Sequence, residues 1–260
     1  MDMSIFSLTD KVAIVVGAKG GMGKEIAVTF AKAGASLAVC DIIGEDGELE
    51  SVAQEIQRVG QPSLGLQLDA TRKTDVEQMV QRVLDQFGRI DVLVNCAAII
   101  TRTPLYQCEE EDWNRVMDVN LKSYFLCSQA VSKKMIEQQS GNIINISGLA
   151  GISPLKNTGA YPVAKAGIIM LTKQLAWELA EYNVRVNDIC PWFVAAPLSD
   201  TPRSQRGKEI LSGIPLGRMG EGRDISNAAL FLSSEASSWL TGHTLILDGG
   251  HLLVCNDITK

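Results

Sequence analysis

Seven short apolar, mostly β-branched runs punctuate the chain: KVAIVV from Lys11, SLAVCD from Ser36, LGLQLD from Leu64, DVLVN from Asp91, GNIINIS from Gly141, VRVNDIC from Val184 and TLILDGG from Thr244. Each reads as a strand. Longer stretches of helical pattern fill the gaps: MGKEIAVTFAKAG, GELESVAQEIQRVG, TDVEQMVQRVLDQFG, the segments from Glu109 to Gln138 and from Tyr161 to Tyr182, and RDISNAALFLSS. Regular alternation of this kind predicts an α/β fold of the doubly wound Rossmann type. Its seven-stranded parallel sheet is flanked by helices through right-handed crossovers.

No linker rich in Pro, Gly or Ser and no repeat divides the chain, so residues 1–260 read as one domain. The longest irregular region, residues 191–224, follows the sixth strand and is rich in Pro and Gly, the place for a substrate lid. The helix from Tyr161 carries AGIIMLTKQLAWELA, apolar on nearly every face. One sheet cannot cover it, so its outer face is expected to meet another subunit of a homo-oligomer, a dimer or tetramer; the alternative is cover by the chain's own loops.

Composition narrows the function classes. Apolar residues make up 46% of the chain, which excludes disorder, and a net charge of −6 without a basic stripe argues against nucleic acid. Small molecules are the expected partners. Six scattered cysteines without a C-x-x-C pair suit free thiols in a reducing compartment, hence a cytoplasmic protein. The stretch MDMSIFSLTDK lacks the regions of a signal peptide, and no long apolar run suggests a membrane span. Neither H-E-x-x-H nor a Cys/His cluster supports a metal. His243 reads as a turn residue, and His251 as a candidate to reach a neighbouring subunit's pocket.

The chemistry begins at VVGAKGGMGKEI. Its glycines fit neither G-x-G-x-x-G nor a P-loop; they fit G-x-x-x-G-x-G at Gly17, Gly21 and Gly23. Strand, glycines and helix in that order let backbone N–H groups at a helix start face a pyrophosphate. The second strand then ends at Asp41, placed to accept hydrogen bonds from an adenosine ribose and to repel a 2′-phosphate. NAD is therefore expected over NADP, and Ile42 stands where a base for the phosphate would be useful. Tyr161 and Lys165 in YPVAK share one helix face. An ammonium beside a phenol lowers its pKa and makes proton exchange with an alcohol feasible. Ser147, ending the fifth strand, is a candidate to hold the substrate oxygen.

With these motifs the chain resembles a short-chain dehydrogenase/reductase from about Leu8 to Gly250: the glycine turn, Asp69 after the third strand, NCAA from Asn95, Asn120 in DVNL, Ser147, and the Tyr161/Lys165 pair. The resemblance implies a catalytic set in which Tyr161 transfers the proton, Ser147 orients the carbonyl or hydroxyl, Lys165 binds the nicotinamide ribose and tunes Tyr161, and Asn120 holds a water joining Lys165 to solvent. Hydride would pass directly between nicotinamide and the substrate carbon. Cofactor contacts are implied at Met22 within the glycine turn, at Asp69 and Ala70, at Asn95 and Ala97, and at Pro191 and Val194. Val16, Ala98, Trp192 and Ala196 depart from the family's usual residues, which implies altered cofactor positioning and pocket shape with every catalytic group kept.

Within the family, AIITRTPL and WELAEYNVRVNDICPWF look most like the sugar-acid group, such as gluconate 5-dehydrogenases. The expected reaction is thus NAD-dependent hydride transfer with a secondary alcohol or ketone, a sugar acid or polyol first. Arg102 would pair with a substrate carboxylate, while Arg203 and Arg206 read as solvated lid residues. Hydroxysteroids, small cyclic alcohols and 3-oxoacyl thioesters are the alternatives, as is a non-catalytic NAD sensor on the same fold. Trp192 either walls the pocket or packs under the lid.

Overall fold

The structure, a computed structural model, describes residues 3–42, 47–195 and 205–254. Seven strands are β1 (Val12–Val16), β2 (Ser36–Asp41), β3 (Ser63–Gln67), β4 (Val92–Asn95), β5 (Gly141–Ile146), β6 (Val184–Pro191) and β7 (Thr244–Leu247). They form one sheet in the order β3-β2-β1-β4-β5-β6-β7, every neighbouring pair parallel. All five residues of β1 and all four of β4 are buried, as central strands covered on both faces must be. The order reverses between β1 and β4, and a crevice opens there at the carboxyl ends of the strands.

Two apolar layers cover the sheet. One packs Leu8, Ile26, Phe30, Val52, Ile56 and Ile225 beneath α1 (Gly21–Lys32), α2 (Glu48–Arg58) and α8 (Gly222–Ser233). The other packs Val76, Val83, Val131, Met135 and Ala176 beneath α3 (Lys73–Phe87), α5 (Ser123–Gln138) and α6 (Tyr161–Leu179). A capping box between Glu221 and Asp224 starts α8, Asp224 also being paired with Arg218 at 2.6 Å.

Several elements differ from the sequence expectation. The segment from Glu109 is not one helix: α4 (Glu110–Met117) passes through a π-helical turn, Asp118–Lys122, into α5. Such turns favour functional sites, and this one carries Asn120. The third strand stops at Gln67 and the seventh at Leu247, short of the aspartates that close their sequence runs. Within 191–224, expected to be irregular, lie the end of β6, a helix α7 (Gln205–Ser212) and the start of α8; residues 196–204, with Ala196 and Arg203, fall outside the described residues, and so does the Arg206 side chain. A short helix α9 (His251–Val254) follows β7. Its brevity hid it from any periodicity argument. No helix of the described residues is long and apolar enough to cross a membrane.

Candidate active site

The glycine turn is shaped by close approach. Gly17 has φ +85°, and a Cβ there would lie 2.5 Å from the Ala97 nitrogen. A Cβ on Gly23 would overlap the Gly17 carbonyl, whereas Gly21, at φ +54°, faces open space. The first two positions press α1 against β1 and the loop after β4, leaving the third as backbone a phosphate can approach. At the end of β2, Asp41 accepts from the Lys19 N–H at 3.1 Å and the Ile42 N–H at 2.8 Å. Those bonds hold its carboxylate at the rim beside the turn. Lys19 and Lys24 pair with Glu48 and Glu55 of α2, at 3.4 and 2.9 Å. This arrangement fits a dinucleotide whose ribose carries free hydroxyls.

Other expected cofactor contacts are used differently. Asn95 turns its side chain inward, donating to Asn145 at 2.9 Å and Ser128 at 3.2 Å, and Asn145 donates on to Thr172. Its side chain ties β4 to β5 and α5. Asp69 accepts from the Thr71 N–H and hydroxyl and so caps the turn into α3. Ala70 is buried next to it; Ile42 is exposed.

A second cavity wall gathers the candidate chemistry. Ser147, Tyr161 and Lys165 line one cavity of about 230 Å³ with Met22, Pro191, Trp192 and Val194. Lys165 is buried; its Nζ donates to the Ile146 carbonyl at 2.9 Å and stands 5.5 Å from the Tyr161 ring centroid and 5.6 Å from that of Tyr124. The Tyr124 hydroxyl donates to the same carbonyl at 3.0 Å. Gly148 faces the same cavity, where a Cβ would come into van der Waals contact with the Tyr161 oxygen at 3.4 Å.

One expectation needs correction. Burial pushes the Tyr161 phenol up to about 12, with Arg102 pulling in the opposite direction, so in the chain alone desolvation outweighs the expected lowering by Lys165. Lys165 itself is brought down to about 8, again by burial. The Asn120 amide is tied to the loop after β4: its Oδ1 accepts from the Ile99 N–H at 2.8 Å and its Nδ2 donates to the Ile99 carbonyl at 2.7 Å. Asn120 thereby fixes the loop after β4.

Trp192 separates two cavities. Its ring lines the catalytic cavity and also one of about 180 Å³ beside Ile214, Leu216 and Leu247. It stacks on His251 at 4.5 Å and meets Phe193 edge-on at 4.6 Å. His251 Nδ1 lies 2.6 Å from the Gly213 carbonyl of the same chain. The loop base is anchored by Ala195 N–H to Gly220 at 2.8 Å and Gly220 N–H to Phe193 at 2.9 Å. Arg102 is exposed, near enough for its charge to act on Tyr161.

Sequence reasoning missed Asp188. This buried β6 carboxylate accepts from the Ser147 hydroxyl at 2.7 Å and the Ser147 N–H at 2.9 Å. The signal was present, an acid inside an apolar strand run, but its partner lies on another strand.

Comparison with known proteins follows the same lines. A family model described as enoyl-(acyl carrier protein) reductase matches residues 17–251. A 3-oxoacyl-(acyl-carrier-protein) reductase of Thermotoga maritima is 37% identical over 94% of this chain and 98% of its own length. Among solved structures, a 7α-hydroxysteroid dehydrogenase complexed with NADH and 7-oxo glycochenodeoxycholic acid superposes with a TM-score of 0.91 at 34% identity, covering 96% of this chain and 97% of that one. An NAD+-bound xylitol dehydrogenase superposes with a TM-score of 0.88 at 30% identity, covering 94% and 99%.

Proposed function

Because the chain belongs to the short-chain dehydrogenase/reductase family, oxidoreductases acting on CH–OH groups, we propose that it is an NAD-dependent dehydrogenase of a sugar acid or polyol. The observation that carries this reading is the convergence of Ser147, Tyr161 and Lys165 on one cavity at the carboxyl rim of the sheet. NAD would be held by the backbone of Gly17, Gly21 and Gly23 and by Asp41, and when bound it supplies the hydride acceptor or donor. Tyr161 exchanges the proton with the substrate oxygen and Ser147 orients that oxygen. Lys165, still protonated at neutral pH, places positive charge beside the phenol as it ionises. Arg102 at the mouth supports a carboxylated substrate, and Asp41, with the engaged lysines near it, supports NAD over NADP.

A second reading, reduction of a 3-oxoacyl thioester, is favoured by the name of the Thermotoga maritima relative. In either case the chain works as one domain, with residues 191–224 as lid. It assembles with copies of itself through α5 and α6, where Phe125, Met170 and Trp177 are exposed, the last at 84%. The free cysteines among the described residues support a cytoplasmic setting. Steady-state turnover of gluconate, xylitol, a 7α-hydroxy bile acid and a 3-oxoacyl thioester with NAD(H) and NADP(H) tests the proposal. Fastest turnover with NAD and the sugar acid or polyol is expected; preference for NADPH and the thioester would replace it with the second reading, and no turnover would leave a dinucleotide-binding protein without catalysis.

A further inference from the structure

A serine hydroxyl has one proton to donate and two lone pairs that accept. In this site the proton is committed. Ser147 Oγ donates to Asp188 Oδ2 at 2.7 Å, far closer than its other acceptor, the Ile189 carbonyl at 3.4 Å, while Asp188 Oδ1 takes the Ser147 N–H at 2.9 Å, a two-point clasp between the end of β5 and the next strand. Asp188 sits deep in the sheet, paired in register with Asn145 of β5 and Thr244 of β7, and its own N–H donates to the His243 carbonyl at 2.8 Å. A buried carboxylate is costly unless something uses it. Capping one backbone N–H does not require a charge.

We propose that Asp188 is a positioning residue that sets the hydrogen-bond polarity of Ser147, and through it whether the site receives an alcohol or a carbonyl. With Asp188 ionised, the Ser147 proton points inward and its oxygen faces the cavity as an acceptor, suited to a substrate hydroxyl. With Asp188 protonated, its own O–H donates to Ser147 and the serine hydrogen turns outward, suited to a carbonyl. Ser147 keeps its proton in both states; the one proton exchanged with solvent is gained or lost at Asp188.

The surroundings bring the switch within reach of working pH. Burial pushes Asp188 up to about 6, against the Ser147 bonds and the Lys165 charge, which lower it. The titratable groups facing it are Lys165 of α6, Tyr124 of α5 and Cys190 of β6. Lys165 stabilises the ionised carboxylate, and Asp188 in turn supports the Lys165 ammonium.

This inference rests on the dehydrogenase reading for its consequence, but the clasp can be tested without turnover. Carbon-detected NMR of carboxyl-labelled aspartates, followed from pH 4 to 9, should show one resonance titrating near pH 6 that disappears in Asp188→Asn. In Ser147→Ala that midpoint should rise, because a hydrogen bond to the charged form is lost. An unchanged midpoint would overturn the proposal. Asp188→Asn retains an acceptor for the Ser147 N–H and places an amide donor against the hydroxyl, fixing the outward state. With cofactor bound, cyclohexanol should then bind about tenfold more weakly and cyclohexanone more tightly, the scale of one charge-assisted hydrogen bond. Losses of equal sign for both probes would mean a merely structural Asp188. If neither probe binds, the titration alone decides the clasp, and absence of turnover across the whole panel counts against the dehydrogenase reading instead.

Discussion

Asp41 ends β2 and Asp188 lies inside β6, on opposite sides of the switch point between β1 and β4. Asp41 is half-buried at the rim and bonds backbone N–H groups within a few residues of the glycine turn or itself. Asp188 is fully buried and clasps Ser147, a residue of the neighbouring strand. The cofactor half of the crevice is therefore made of backbone, glycines and local turns, and the substrate half of side chains that meet only when strands pair. The first kind of site is a property of a short stretch of sequence. The second belongs to the sheet.

The comparison can be broken at its cofactor end first. Asp41→Ala should lower the ratio of kcat/KM for NAD over NADP by about tenfold or more, by removing a ribose acceptor and the repulsion of a 2′-phosphate. An unchanged ratio in steady-state kinetics would mean that selectivity lies elsewhere.

At the substrate end, the expected effect is on stability. The Asp188 carboxyl ionises near 3.8 when unfolded and near 6 when folded, so between those values the native state holds a proton that the unfolded chain has lost. Stability is then lost as pH rises through this window, and the full cost is present above it. Asp188→Asn removes that slope. Urea unfolding should show the variant gaining roughly 1 to 3 kcal/mol over wild type between pH 4 and pH 8. A slope that survives the substitution would mean that Asp188 titrates in the fold as it does unfolded.

The smallest effect concerns the partition between the two cavities. Trp192→Gly should raise kcat/KM for bulky alcohols a few-fold relative to small ones, about 1 kcal/mol of discrimination, by joining the cavities. A lower Tm with unchanged relative kcat/KM would make Trp192 a packing residue under the lid.

Legibility followed the same division. The strands, the glycine turn and Asp41 could be read because each is encoded within a few consecutive positions, as could Tyr161 and Lys165, one helical turn apart. The side-chain partners of Asn95 and Asn120 could not, since Asn145, Ser128 and the Ile99 backbone are brought close only by strand order and the π turn. The expected lowering of Tyr161 by Lys165 failed for a related reason. Spacing shows that two groups share a face but not how deeply that face is buried, and here desolvation dominates both. The short α7 and α9 carry too few turns for a periodic signal.

The central claim is that Tyr161 holds the reacting proton in a buried site, and the pH dependence of alcohol oxidation tests it most directly. Since burial raises the phenol to about 12, the base form becomes more populated throughout the alkaline range. Oxidation kcat/KM of the fastest alcohol should climb from pH 7 to beyond pH 9, and Tyr161→Phe should remove that climb and lower kcat by at least about 100-fold while NAD still binds. A variant that turns over within a few-fold of wild type, with the same alkaline rise, would contradict the account.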